Sequence, residues 1–170
     1  GMDAVPDGIS DAACYAALDE LLADERVEVV SLCSPRRADQ AEDALRCLRA
    51  GKHVYAEKPS AMDEATLDAI LREAERQNLQ FHEMADTVFK QPYFAIRDCV
   101  CRGAVGTVVQ IHVQKSYPYY EARAQDPGID GGVVGQHAIH AVRMVEHAAG
   151  VPVSAGHSRR THMGNTKPNG

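Results

Sequence analysis

The fold is decided by the stretch from Val27 to Pro59, which reads VEVVSLCSPRRADQAEDALRCLRAGKHVYAEKP. Two short runs rich in β-branched residues, 27–33 and 53–56, are each followed by a turn that contains proline, and such runs predict strands. The first run lacks a clean alternation of polar and apolar residues, which is typical of a strand covered on both faces of a parallel sheet. Between the two runs, a helical pattern over 38–50 ends at a glycine suited to a helix C-terminus.

The same alternation continues on both sides of this stretch. Apolar residues fall at helical spacing over 11–24 and again over 63–77, and residues 79–82 begin a third strand. Alternating helices and strands with short loops are the pattern of right-handed crossover units. We therefore predict an α/β fold, a partial Rossmann-type parallel sheet of three strands with helices. Open sheets of this kind bind ligands just outside the carboxyl ends of their strands.

The pattern changes after about residue 90. An alternating run at 109–114 predicts a half-buried strand of an antiparallel sheet. We predict that residues 1–90 form the C-terminal half of a dinucleotide-binding Rossmann domain, and that residues 91–170 begin an incomplete α+β domain with antiparallel strands, for substrate binding or oligomerisation. The other elements predicted for this second part are a helix at 91–102, a loop at 117–131, a helix at 132–149 and the start of a strand at 151–160.

Composition excludes several classes of partner. Hydrophobic residues make up 45% of the chain and charged residues 25%, which is ordinary for a globular protein. The net charge is −6, and no dense run of Lys and Arg appears, so neither nucleic acid nor a membrane surface is an expected partner. Five cysteines form no repeated spacing, which argues against a disulfide framework. With no apolar stretch of about 18 residues and no secretory signal, we predict a cytoplasmic protein.

Glu57-Lys58-Pro59 is the sharpest candidate for chemistry. A lysine at the carboxyl end of a parallel strand points into the ligand crevice, where the charge of Glu57 can hold it. Pro59 fixes the turn that follows. The alternative is a solvated Glu-Lys pair in a loop, and spacing alone does not decide between the two.

Three further groups carry weaker signals. His137, His140 and His147 share one predicted helix, but no carboxylate or cysteine clearly completes a zinc site, so no metal is expected. His82 and Glu83 end the third strand, where a contact with a nicotinamide competes with an ordinary edge position. Aromatic residues in the predicted loop could stack on a sugar or pack at the surface; they are Tyr117, Tyr119 and Tyr120.

The motifs taken together resemble the Gfo/Idh/MocA oxidoreductase family, which includes glucose-fructose oxidoreductase and inositol dehydrogenase. The ordered set at family spacing is specific, although Glu-Lys-Pro alone is not, and the resemblance spans roughly residues 15–160. The pieces that carry it are Glu20-Leu21-Leu22-Ala23-Asp24, Val29-Val30-Ser31-Leu32-Cys33-Ser34-Pro35, Ala50-Gly51-Lys52-His53-Val54, Glu57-Lys58-Pro59, Gly103-Ala104-Val105-Gly106-Thr107-Val108 and the stretch from Gly131 through His140 to Gly150.

The resemblance implies hydride transfer between NAD or NADP and a sugar or polyol hydroxyl. Lys58 matches the active-site lysine, and His140 matches the histidine that acts as acid and base. Gln136 stands where the family usually has aspartate, which keeps hydrogen bonding but removes a charge that would raise the pKa of His140. We count Gln136 with the catalytic candidates. The residues expected at the cofactor are Ser34, Pro35, Glu57, Lys58 and Pro59.

The phosphate-binding motif of this family is missing from the sequence. No G-x-G-x-x-G occurs in the 170 residues, although the family carries it on its first strand-turn-helix unit. We therefore expect a chain truncated in its Gly-rich half and in its final sheet. Two interpretations stay open: a partial oxidoreductase chain, or a non-catalytic remnant that acts as a self-associating structural or binding protein. Exposed strand edges favour a homo-oligomer in either case.

Overall fold

A parallel sheet of three strands, in the order β1-β2-β3, forms the centre of the structure. The structure is a computed structural model that describes residues 12–116, 122, 124–132 and 134–159. Val30 of β1 is in register with Val54 of β2, which is in register with Phe81 of β3. The predicted α/β fold with a partial Rossmann-type sheet is thereby confirmed. The strands are β1 (Val29–Leu32), β2 (His53–Ala56) and β3 (Phe81–Glu83).

Helices connect and follow the strands. A short 3₁₀ turn at Asp86–Phe89 comes directly after β3, and a π-helical turn at Val134–Ala138 leads into the last helix. No helix of the described ranges is long and apolar enough to cross a membrane. The α-helices are α1 (Leu18–Ala23), α2 (Arg37–Arg49), α3 (Glu64–Gln77), α4 (Tyr93–Cys101), α5 (Pro127–Asp130) and α6 (Ile139–Ala149).

The core lies between the sheet and helices α2 and α3. Val54 of β2 packs there with Leu48 of α2 and Ile70 of α3, and all three side chains are almost fully buried. On the opposite face of the sheet, Val29 is 58% exposed and Tyr55 is 40% exposed. The expectation that the first strand is covered on both faces is therefore wrong for the described residues, because the helices that follow β1 and β2 pack on one face.

The second part of the chain departs most from the predictions. The strands expected at 109–114 and 151–160 are not formed in the parts of these ranges that the structure describes, and Val109 is 91% exposed. A strand needs a neighbour for its backbone hydrogen bonds, and no described segment pairs with residues 109–114. The loop expected at 117–131 contains α5, which Asp126 caps by accepting a hydrogen bond from the amide of Gly128.

The predicted helix boundaries hold for α2, α3 and α4 to within a few residues, but not at two other places. Helix α1 is shorter than the predicted 11–24, since it spans Leu18–Ala23. The helix predicted at 132–149 is regular only from Ile139, after the π-helical turn. The domain boundary near residue 90 stays a prediction.

Candidate active site

The carboxyl ends of the three strands gather the predicted site residues at one edge of the sheet. Ser34 follows β1, Lys58 follows β2 and Glu83 closes β3. The parallel pairing brings these ends together. This edge is where open parallel sheets place their ligands.

Lys58 meets the second half of the chain at this edge. Its Nζ donates hydrogen bonds to the main-chain oxygen of Gln136 at 3.3 Å and to Oε1 of the same residue. The ammonium also lies 3.6 Å from Oε1 of Glu57, and the Lys58 side chain is 13% exposed. Two of the catalytic candidates are therefore in direct contact, across 78 residues of sequence.

His140 is buried one helical turn beyond Gln136. It is 7% exposed, and its Nδ1 lies 3.2 Å from Oγ1 of Thr87 in the 3₁₀ turn. Burial lowers the pKa of His140, and the positive charges of Lys58 and Lys115 lower it further, while the carboxylates of Asp86 and Glu57 oppose them. The neutral imidazole, which can accept a proton, is therefore favoured at this position.

A close approach of two loops holds Gln136 against Lys58. Gly131 has a φ of +87°, and a Cβ atom built on it would lie 2.4 Å from Cδ of Pro59. A Cβ on Gly135 would lie 3.2 Å from Cγ of the same proline. Glycine at these positions lets the backbone before α6 pack directly on the turn that follows Lys58.

The two cofactor candidates after β1, Ser34 and Pro35, differ in their exposure to solvent. Ser34 is buried, and its hydroxyl donates a 2.7 Å hydrogen bond to Asp43 on α2. Pro35 is exposed at the end of β1. The Ser34 hydroxyl already has a partner, whereas Pro35 is open to a ligand. Contacts of both residues with a cofactor stay predictions.

The sequence patterns did not identify two residues of this region, Gln40 and Thr87. Gln40 is completely buried on α2, where it shares a face with Ala44, Cys47 and Leu48. A polar residue on the apolar face of a helix is a signal that could have found it. Thr87 carries no such signal, because its contact with His140 arises from tertiary packing.

The weaker candidates do not assemble into a second centre. Glu83 accepts hydrogen bonds from the amide and the hydroxyl of Ser60, at 2.9 and 2.8 Å, while His82 is exposed. The described residues contain no cluster of three His, Cys, Asp or Glu side chains that could hold a metal. The three tyrosines predicted to stack on a sugar or pack at the surface lie outside the described residues; they are Tyr117, Tyr119 and Tyr120.

A cleft of about 450 Å³ opens beside the site, next to β3. Ser60, Glu83 and Asp86 line it on the side of the sheet, and Ile139 and Arg143 line it on the side of α6. Lys58 and His140 are not among its lining residues. Residues close to them in sequence, Ser60 and Ile139, line the cleft instead.

A dinucleotide bound to an open parallel sheet lies at the carboxyl ends of the strands, which is the edge that Lys58 occupies here. The ends of β1 and β2 lie side by side, and the Lys58 ammonium is held there beside the neutral amide of Gln136. The backbone amides of a glycine-rich turn, which hold the pyrophosphate in dinucleotide folds, are not supplied by any G-x-G-x-x-G in this sequence.

A parallel sheet with helices packed on it, and with Lys58 at the end of its middle strand, is a partial α/β sheet of the Rossmann type. Comparison with known families makes the assignment specific. Residues 7–84 match the model of the Gfo/Idh/MocA oxidoreductase family, described as having an NAD-binding Rossmann fold. The predicted resemblance to this NAD-binding family is therefore confirmed over residues 7–84, and the prediction of NAD or NADP as cofactor is confirmed at the level of the family.

Individual relatives support this assignment. An uncharacterised oxidoreductase of Rhizobium meliloti is 30% identical over 136 residues, which are 77% of this chain and 40% of the relative. The trans-1,2-dihydrobenzene-1,2-diol dehydrogenase of Xenopus laevis is 28% identical over 135 residues, 77% of this chain and 41% of the relative. The scyllo-inositol dehydrogenase of Lactobacillus casei, solved with NAD(H) and scyllo-inositol, shares the fold with a TM-score of 0.67 and 21% identity, covering 79% of this chain and 41% of that one.

The chain spans about two fifths of the length of the curated relatives that it matches.

Proposed function

We propose that Lys58 and His140 act on one hydroxyl group of a sugar or polyol, in an NAD(P)-dependent oxidoreductase site. The observation that carries this proposal is the contact of Lys58 with Gln136, one helical turn before the buried His140. A cation and a neutral base on one side of a sheet edge are the groups that alcohol oxidation requires.

The chain's own residues divide the chemistry between them. With Nδ1 of His140 near Thr87, Nε2 is the nitrogen left to take the proton of the hydroxyl. The Lys58 ammonium stabilises the negative charge that develops on the oxygen. Gln136 holds this ammonium without adding a charge. When bound, NAD(P) supplies the acceptor for the hydride that leaves the carbon.

The substrate class follows from the relatives. A diol and an inositol are named for two of them, and both compounds carry neighbouring hydroxyl groups. We extend this class to the present chain as sugars, polyols and cyclic diols, with NAD or NADP as the partner dinucleotide.

A turnover assay tests the proposal. The chain is incubated with NAD and with NADP against a panel of inositols, aldoses and cyclic diols, and reduction of the dinucleotide is followed. The variants Lys58→Met and His140→Gln should each lower the rate about 10²–10⁴-fold, since each removes a group that acts in the transition state.

Arg72→Met is the matched control, because it also removes one positive charge, while Arg72 is 75% exposed and pairs with Asp68 within α3. Its rate should equal that of the parent chain. If neither dinucleotide is bound or reduced with any compound of the panel, the proposal is wrong for this chain.

Self-association is the second candidate function, and a separate observation favours it. Val29 of β1 and Val109, which lies outside the helices and strands, are 58% and 91% exposed, so apolar surface is available for a second copy. Sedimentation velocity should then show a dimer or larger species, and a monomer at all concentrations would contradict it. The homo-oligomer and the cytoplasmic location stay predictions.

A further inference from the structure

Gln40 of α2 is a buried polar residue whose amide reaches three separate parts of the chain. Its Oε1 accepts hydrogen bonds from the amide of Ser34, at 3.3 Å, and from Nη1 of Arg37, at 2.6 Å. Its Nε2 donates to the carbonyl oxygen of Glu57 and, at 3.1 Å, to that of Pro59. The residue is completely buried, so water cannot replace these partners.

The partners themselves fix the orientation of this amide. A backbone N–H and a guanidinium can only donate, so they must face the oxygen. The two carbonyl groups can only accept, so they must face the nitrogen. Gln40 therefore has one orientation in which every contact is a hydrogen bond.

The two accepting carbonyl groups belong to the residues on either side of Lys58. Glu57 and Pro59 are thus fixed to one side chain of α2, and the main chain of the lysine is fixed between them. The Oε1 atom of Gln40 also accepts a hydrogen bond from the amide of Ser34, just after β1. The amide joins the ends of β1 and β2 at the edge of the sheet where the site lies.

We propose that Gln40 is the positioning residue for Lys58: it holds the carbonyl groups of Glu57 and Pro59, and thereby aims the ammonium at Gln136 and at the bound hydroxyl. This inference rests on the proposed function, in which Lys58 is the active-site cation. Gln40 does not reach Lys58 Nζ itself, and its effect passes through the backbone.

Two variants separate the two halves of the amide. Gln40→Met keeps the length of the side chain and removes all four hydrogen bonds. Gln40→Glu keeps an acceptor for Ser34 and Arg37 but turns a carboxylate oxygen towards two carbonyl groups. Both variants should release the backbone around Lys58, because both lose the donor half.

The chemical reactivity of the lysine side chains measures this release without dinucleotide or substrate. The full chain is acetylated with a limiting amount of an amine-reactive ester, and the extent at each lysine is read by peptide mass spectrometry. Lys58 is 13% exposed and held by Gln136 and Glu57, so it should react slowly in the parent chain. In both Gln40 variants its rate should rise about five-fold or more.

Lys52 and Gln77 supply the controls. Lys52 is buried at the opposite end of β2, where it donates to the carbonyl of Asp24, and its rate should not change. Gln77→Met is the same substitution at a distant site: it removes a hydrogen bond from Nε2 to Oε1 of Glu73 at 3.1 Å within α3, and it should leave Lys58 slow.

The outcomes are distinct. A rise at Lys58 alone supports the proposal. An unchanged rate at Lys58 in either Gln40 variant overturns it, and so does an equal rise at Lys52, because Gln40 would then support the whole domain. Because the turnover assay is a separate measurement, its failure would bear on the proposed function and leave this result readable.

Discussion

At the scale of single residues, the burial of His140 has a consequence for stability. Its pKa is lowered from the ordinary value of 6.5, first by burial and then by the charges of Lys58 and Lys115. As the pH falls below that ordinary value, the unfolded chain takes up a proton that the folded chain resists. Stability is therefore complete above the ordinary pKa and decreases as the pH falls.

Replacing His140 tests this sign. His140→Gln removes the titrating group, so its unfolding temperature should depend less on pH than that of the parent chain, between about pH 7.5 and about pH 5. Differential scanning calorimetry at several pH values measures both slopes. A steeper slope in the variant would show that the folded state prefers the protonated imidazole, in contradiction to the account.

The residue scale also shows what the sequence can and cannot predict about a site. Lys58, Gln136 and His140 come from a resemblance between motifs, and the structure brings Lys58 into contact with Gln136. Gln40 donates hydrogen bonds to carbonyl groups 17 and 19 residues away, and Thr87 contacts His140 across 53 residues. Such pairings depend on how elements dock, and no local pattern encodes them.

At the scale of elements, the turn before α6 packs on the turn after β2. Gly131 and Gly51 both have a positive φ, of +87° and +77°. A Cβ atom built on Gly51 would meet nothing within 4 Å, whereas one built on Gly131 would lie nearest to Pro59. An alanine at either position is strained by the left-handed backbone, at a cost of about 1–2 kcal/mol. At Gly131 its Cβ would also overlap the proline ring.

We expect Gly131→Ala to destabilise the chain more than Gly51→Ala, by about 1–3 kcal/mol, the usual cost of overpacking. Urea unfolding of the two variants under the same conditions measures the difference. Equal losses of unfolding free energy in the two variants would mean that Gly131 does not pack on Pro59.

Elements were predicted well where the pattern is local and poorly where it depends on partners. The helical spacing of α2 and α3 and the β-branched runs of β1 and β2 lie in single segments, and all four formed as expected. The alternating run at 109–114 has the pattern of a strand but lacks a described neighbour. Alternation predicts which face a strand would bury, not that a partner is present.

At the scale of the whole molecule, two parts of the chain meet at the site. Lys58 belongs to the parallel sheet, while Gln136 and His140 belong to the helical region that follows it. The family match covers residues 7–84 and therefore includes Lys58 but not His140. The fold of the sheet follows from sequence, whereas the meeting of these parts is known only from the structure.

The central claim is that the Lys58 ammonium lies close enough to His140 for both to act on one hydroxyl group, and the pKa of His140 tests it directly. NMR titration of the His140 ring is compared between the parent chain, Lys58→Met and the control Arg72→Met, which removes an exposed positive charge of α3. Because the Lys58 ammonium disfavours the imidazolium, its removal should raise the pKa of His140, and the control should not produce the same rise. An unchanged pKa in Lys58→Met would place the two side chains apart and contradict the account.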